Sequence, residues 1–172
     1  MDKLYKRKFR TFLGEAIALA DDNFLLLLAF SNYKNLQKKL QYFSTKYEVL
    51  DKKNSILQDT ENQLAEYIGK HRKNFDLPIK LIGSDFQKKI WSHLINIPFG
   101  ETISYAELAK RFGNEKAYRA CANANAANNL SIIIPCHRVI HSNGELGGYA
   151  GGIERKKMLL ELEKATSDIL YN

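Results

Sequence analysis

The sequence predicts an α/β chain of the α+β type in two parts, a small antiparallel sheet with helices over residues 1–78 and a mainly helical domain over 79–172. Three observations carry this. Residues 15–30, EAIALADDNFLLLLAF, hold two apolar runs around a polar Asp-Asp-Asn step, the pattern of an antiparallel hairpin. Further along, apolar residues recur every three or four positions, the period of a helix with one buried face. Between the two kinds of pattern, HRKNFDLP at 71–78 breaks the periodicity and carries a proline, which places the boundary there.

After the hairpin, Leu36, Leu40, Phe43 and Tyr47 line one face of a helix, with Lys and Gln between them. A second helix is expected from about Thr60 to Ile68, with Leu64, Tyr67 and Ile68 inward and Gly69 ending it. Past the boundary, Ser84 precedes FQKKIWSHLI, whose Phe86, Ile90, Trp91 and Leu94 form a helical stripe, and PFG at 98–100 makes a turn. Ser104 and Glu107 have the spacing of a capping box, which opens a helix through Leu108 and Phe112. Gly113-Asn114 stops it, and another helix begins near Glu115. Two short helices joined by a tight glycine-containing turn form a helix-turn-helix pattern, and its second helix, EKAYRACANANA, is rich in Ala and Asn with one long cation, Arg119. Small side chains let a helix approach a DNA groove closely; tight packing in a core would select the same residues. The run Leu130–Ile134 reads as a buried strand. IERKKMLLELE reads as a closing helix with Met158, Leu159 and Leu162 inward.

Composition narrows the classes. The chain has 172 residues, 45% of them apolar, enough for a core, and this excludes disorder and collagen-like structure. Two cysteines cannot build a disulfide scaffold, and four scattered histidines offer no zinc set, so a reducing cytoplasm is the expected location. The apolar stretch from Ala16 to Phe30 is interrupted by Asp21, Asp22 and Asn23 and falls short of the roughly 20 residues of a membrane-spanning helix. The net charge of +7 favours contact with a polyanion. It is spread evenly, 14 Lys and Arg against 10 Asp and Glu in residues 1–79 and 12 against 9 in 80–172, so neither half is a basic tail.

The chemistry concentrates in Pro135-Cys136-His137-Arg138-Val139-Ile140. A cysteine directly followed by histidine has the ingredients of an activated thiol, because an imidazole can take the proton and leave a thiolate. Cys121, among alanines, reads instead as a small packing residue. HSNGELGGYAGG at 141–152 sets a turn and four glycines around Tyr149, which suits close approach of backbone to a flat ligand as well as a flexible connector.

From about Gln63 to Glu163 the chain resembles the O6-alkylguanine-DNA alkyltransferases, also called methylated-DNA–protein-cysteine methyltransferases. The likeness runs through QLAEYIGKHRKNFDLP, FQKKIWSHL, PFGETISYAELAKRFG, the Arg119 helix, IIIPCHRVI, SNG, GGYAGG and the closing helix. IPCHRVI is its most specific element. The N-terminal third resembles the family only loosely.

The resemblance implies a ribonuclease H-like N-terminal domain and a winged helix-turn-helix C-terminal domain. It implies that Cys136 accepts the alkyl group from guanine O6, that His137 is the base acting through a water, and that Glu163 orients it. Asn128 would brace the active-site turn; its neighbour is commonly proline in the family and is Asn129 here, a departure expected to loosen that turn. Tyr105 would press on the flipped nucleotide and hydrogen-bond the leaving guanine. Arg119 corresponds to the finger that enters from the minor groove and fills the gap left by the extruded base, with Ala117, Tyr118, Ala120 and Ala122 on the same DNA-facing helix. Val139, Tyr149, Ala150 and Gly151 would line the pocket. Double-stranded DNA containing O6-alkylguanine, with O4-alkylthymine as a further substrate, would be the partner of a monomer in the cytoplasm, or in the nucleus of a eukaryote. No cofactor and no metal are expected, since zinc in some relatives is held by an N-terminal Cys and His set and this chain has no cysteine before Cys121.

Two other readings use the same residues. A damage sensor that binds without transferring carries another residue at the acceptor position, and Cys136 argues against it. A cysteine hydrolase usually draws its base from a distant segment and adds an oxyanion hole, neither of which the contiguous Cys-His pair offers.

Overall fold

The computed structural model describes residues 1–171, with side chains described through residue 164. The chain divides into two compact units, Met1–Leu81 and Ile82–Asn172.

In the first unit, β2 (Gly14–Ala20) and β3 (Leu25–Phe30) form the expected hairpin. Its turn is closed by the Asp21 carboxylate, which accepts from the amides of Asn23 at 2.7 Å and Phe24 at 2.6 Å. β1 (Lys3–Thr11) pairs antiparallel with β2, and the short β4 (Glu48–Leu50) pairs parallel with β1, giving the order β3-β2-β1-β4. The sheet is therefore antiparallel through three strands and mixed at one edge. All six residues of β3 are buried. Its outer edge is covered at Leu25, whose amide donates to the Pro78 carbonyl at 2.8 Å and whose carbonyl accepts from Lys80 at 2.9 Å.

Two helices complete the unit, α1 (Leu36–Lys46) and α2 (Ser55–Ile68). α2 starts earlier than the periodicity predicts because Asn54 caps it, accepting from the Leu57 amide. It ends at Gly69, but the residue that takes the left-handed conformation is Lys70, at φ 65°. The segment 71–78 is tied to α2: Gln63 exchanges two hydrogen bonds with the backbone of Asp76, and Arg72 pairs with Glu66 at 2.7 Å.

In the second unit, α3 (Asp85–Ile95), α4 (Tyr105–Phe112) and α5 (Tyr118–Ala126) pack together. Ile90, Trp91 and Leu94 are buried, the Trp91 indole donates to the Ala124 carbonyl at 2.8 Å, and Phe86 meets Phe112 edge-on at 5.1 Å. The complete capping box lies at Ser84 and Gln87. At Ser104, where the box was expected, the serine accepts from the Glu107 amide while the Glu107 carboxylate turns to Arg111 at 3.0 Å. Gly113, at φ 97°, ends α4, and a 3-10 turn over Glu115–Ala117 leads into α5.

Two-residue strands β5 (Ile103–Ser104) and β6 (Val139–Ile140) pair in parallel, Ile103 with Val139 and Ser104 with Ile140. This pair positions the site, because Tyr105 follows β5 directly and the 3-10 turn Cys136–Arg138 directly precedes β6. The run Leu130–Ile134 is buried as expected except at Ile133, but it is a turn rather than a strand: Ile134 donates to Leu130, Ile133 donates to Ser131, and Ile132 sits at φ 73°. The closing helix is α6 (Ile153–Tyr171). Its inward stripe is Lys156, Leu159 and Glu163, while Met158, expected inward, is exposed and Leu162 is half-buried. Among the described residues, no helix is long and apolar enough to cross a membrane.

Candidate active site

Cys136 opens the turn between Pro135 and β6 and is 3% exposed. Its sulfur accepts from the Asn128 side-chain amide at 3.2 Å. The same amide nitrogen reaches the carbonyls of Ile134 at 2.8 Å and Leu130 at 3.3 Å, while the Asn128 oxygen accepts from the Leu130 amide. One buried side chain thus ties the whole turn to the sulfur. Asn125, also buried, adds a donor to the Cys136 carbonyl at 3.4 Å. Next to the brace, the Asn129 amide donates to the Ile82 carbonyl at 2.7 Å. That bond anchors the turn by a side chain where a proline would restrain it through its ring, so the expected loosening is not what the geometry gives.

His137 is fully buried, and its Nε2 lies 2.7 Å from a Glu163 carboxylate oxygen. Burial pushes the His137 pKa below its ordinary value, against the opposing pull of Glu163. Burial alone would raise the Glu163 pKa, but its bonds to His137 and Arg138 outweigh this and hold it down to about 2. At neutral pH the pair is accordingly a neutral imidazole donating Nε2–H to a carboxylate. The second nitrogen, Nδ1, keeps its lone pair, and it is buried without a protein partner among the described residues. A carboxylate that fixes the tautomer in this way leaves the other nitrogen free to act as a base.

Two residues complete the centre, Arg138, which the sequence reading placed beside the reactive pair without a role, and Lys156, which it did not single out. Arg138 is buried, donates to Glu163 through Nε and Nη2 (2.8 Å for the latter), and reaches the Ile97 carbonyl at 2.7 Å. Lys156 is fully buried; its ammonium donates to the carbonyls of Val139 at 2.7 Å, Gly148 at 3.2 Å and Leu146, and lies 5.7 Å above the Tyr105 ring. Burial lowers its pKa to about 8. The signal for Arg138 was a charge inside the largely apolar IPCHRVI, whereas Lys156, within ERKK, carried none. Since Lys156 holds the Val139 carbonyl, one of that oxygen's two lone pairs is already used.

Tyr105 is 5% exposed. Burial, with the Cys136 charge and Tyr118 adding to it, pushes its phenol up to about 12, so it keeps its proton and can donate. Tyr149, Ala150 and Gly151 lie in the loop that leads into α6, the first two half-buried and Gly151 buried against the Tyr149 ring. On α5, Tyr118, Arg119, Ala120 and Asn123 face solvent, Ala122 is half-buried, and Cys121, Ala124 and Asn125 face inward. The Ala/Asn composition therefore serves both a tight core contact and an open face with Arg119 as its long cation. Ala117 belongs to the preceding 3-10 turn and is half-buried. Cys121 is fully buried, which raises its thiol pKa and keeps it protonated.

Residues 85–165 match the family model described as the DNA-binding domain of 6-O-methylguanine DNA methyltransferase. A methylated-DNA–protein-cysteine methyltransferase of Methanosarcina acetivorans is 37% identical over 160 residues, 93% of this chain and 98% of that protein. The chain belongs to the methylated-DNA–protein-cysteine methyltransferase family. A second methyltransferase of this name, from Methanosarcina mazei, is 48% identical over 109 residues, 63% of this chain and 69% of that protein. Among solved structures, Mycobacterium tuberculosis O6-methylguanine methyltransferase superposes with a TM-score of 0.81 at 33% identity, over 98% of this chain and 99% of that one. The same score is reached at 34% identity by Mycobacterium tuberculosis OGT in complex with DNA, over 94% of each chain. In this methyltransferase Cys136 with Asn128, and His137 with Glu163, form two hydrogen-bonded pairs on consecutive residues of one turn.

Proposed function

We propose that this chain repairs O6-alkylguanine in double-stranded DNA by one irreversible transfer of the alkyl group to Cys136. The observation that carries the reading is the hydrogen bond between Glu163 and His137 Nε2, which leaves Nδ1 of the residue next to Cys136 as a buried, unprotonated nitrogen. In this mechanism His137 Nδ1 takes the thiol proton through a water, and the Asn128 amide donates to the resulting thiolate. The sulfur attacks the alkyl carbon, the S–C bond forms, and the C–O6 bond breaks with its electron pair passing to the guanine. Tyr105, whose phenol stays protonated, donates a hydrogen bond to that leaving base. The resulting thioether has no leaving group that water could displace, so each molecule acts once. The electrons balance without a cofactor.

Access requires the base to leave the stack, at a cost of a few kcal/mol that a weakened O6-alkylguanine pair reduces. Arg119, on the open face of α5, is suited to fill the vacated space, being planar and permanently charged. The net charge of +7 adds attraction to the duplex, and the cytoplasm is the location we assign.

The test is incubation with an oligonucleotide duplex carrying O6-methylguanine, followed by intact-protein and peptide mass spectrometry. One methyl on the Cys136 peptide, absent from Cys136→Ala, is the expected result. Turnover beyond one equivalent, or methyl on Cys121, would overturn it.

A further inference from the structure

Tyr118, at the start of α5, and His141, just after β6, are joined beside Tyr105. The Tyr118 hydroxyl lies 3.3 Å from His141 Nδ1. The His141 ring stands 5.1 Å from the Tyr105 ring, and the Tyr118 ring 6.1 Å from it, edge-on. Three rings from three separate segments therefore meet. Beneath them runs the backbone of Gly147, at φ 73°, where a Cβ would come within 3.1 Å of both His141 Nε2 and the Tyr105 hydroxyl. Nothing larger than glycine lets the loop, Tyr105 and His141 pack this closely.

The cluster is layered. Tyr105 is 5% exposed and belongs to the site, whereas Tyr118 is 36% exposed and His141 is half-buried. The outer pair adds little to the fold, since a hydrogen bond that water can replace contributes little net stability. Its chemistry suits something else. A phenol and an imidazole side by side offer a flat apolar ledge edged with N–H and O–H donors, and tyrosine side chains are common donors to phosphate and sugar oxygens. The hydrogen bond between them also tolerates either state of the ring, because the hydroxyl can donate to Nδ1 or accept from it. Arg119, the cation of the open face, is the next residue in the chain.

We propose that the Tyr118–His141 pair is a second DNA contact, a clamp for the sugar-phosphate backbone of the nucleotide that Tyr105 receives. This rests on the repair reading given above. The clamp acts on duplex and has nothing to hold on a free base, which separates it from a role in folding the site.

The experiment compares Cys136 alkylation by duplex O6-methylguanine with alkylation by the free base O6-benzylguanine, in the unaltered protein, His141→Phe, Tyr118→Phe and the double variant. The phenylalanine changes keep ring packing and remove only polar atoms. The expected result is a duplex-to-free-base rate ratio lowered about fivefold in each single variant, and lowered little further in the double, as for two ends of one contact. An unchanged ratio, or equal slowing with both substrates, would overturn the clamp. Failure of the unaltered protein to label Cys136 with either substrate would overturn the repair reading itself, so the two failures are distinguishable.

Discussion

Glu163 serves two donors at once, a neutral imidazole and a guanidinium: it accepts from His137 Nε2 at 2.7 Å and from Arg138 at 2.8 Å, and it is 1% exposed. Replacing it with glutamine keeps the shape but removes the charge that sets the tautomer of His137 and balances the guanidinium of Arg138. Breaking one side of a buried pair costs about 3 kcal/mol or more, because the remaining charge is stranded. Losing an oriented base slows a reaction by about a hundredfold or more. For Glu163→Gln we therefore expect both effects, read as a single-turnover rate on duplex O6-methylguanine and as a denaturation midpoint. A rate within about threefold of the unaltered protein would show that the Glu163 charge does not set up the base. At this scale Cys136 and His137 were legible as a thiol directly followed by an imidazole, while Asn128 and Glu163 were expected only through the family resemblance, since neither an amide nor a carboxylate stands out in its local stretch. Lys156 was not, because a lysine among ERKK reads as solvated, and only the three-dimensional stripe Lys156-Leu159-Glu163 turns it inward.

Elements were legible where one face stays buried over their length, as in α1 and α3, or where a continuous apolar run is buried whole, as in the β2–β3 hairpin. β1 was not, since its two buried side chains, Leu4 and Phe9, have opposite parity and so point to opposite faces among lysines and arginines. The turn at Leu130–Ile134 failed for another reason: it lacks any Gly, Asn or Pro, and a β-branched residue holds the left-handed position at Ile132. The conformation is imposed from outside the run, by the Asn128 side chain that bonds Leu130 and Ile134. This makes a test of sign. In ordinary backbone alanine is more stabilising than glycine, but a left-handed position costs an L-residue about 1–2 kcal/mol. Ile132→Gly and Ile132→Ala both lose a buried side chain, so their difference isolates the backbone. Urea denaturation should find the glycine variant more stable by about 1 kcal/mol; an alanine variant of equal or greater stability would contradict the strain.

The whole molecule carries +7, and yet its site is organised around one buried carboxylate in the second unit. Both groups of the central pair have pKa values below their ordinary ones in the fold, His137 because burial opposes its charge and Glu163 because His137 and Arg138 favour its ionised form. An unfolded chain binds protons at the ordinary values, about 6.5 and 4.5, which the folded chain refuses. Stability contributed by such groups is complete above those values and falls as pH drops. The loss thus begins below about 6.5 through His137, steepens below about 4.5, and runs on to about 2 through Glu163. Acidification should accordingly open residues 82–164, which hold both groups of the pair, before the hairpin of the first unit, which holds neither. Amide hydrogen exchange followed from pH 7 to pH 3 reads this order directly: protection is expected to fail first around the Cys136 turn and α6, while β2 and β3 persist. Glu163→Gln provides the internal control, because it removes the group that titrates between about 4.5 and 2 and leaves that part of the acid limb shallower even though the protein is weaker at pH 7. Simultaneous loss of protection in both units, or an equally steep acid limb in the variant, would place the acid sensitivity elsewhere than in the pair that primes Cys136.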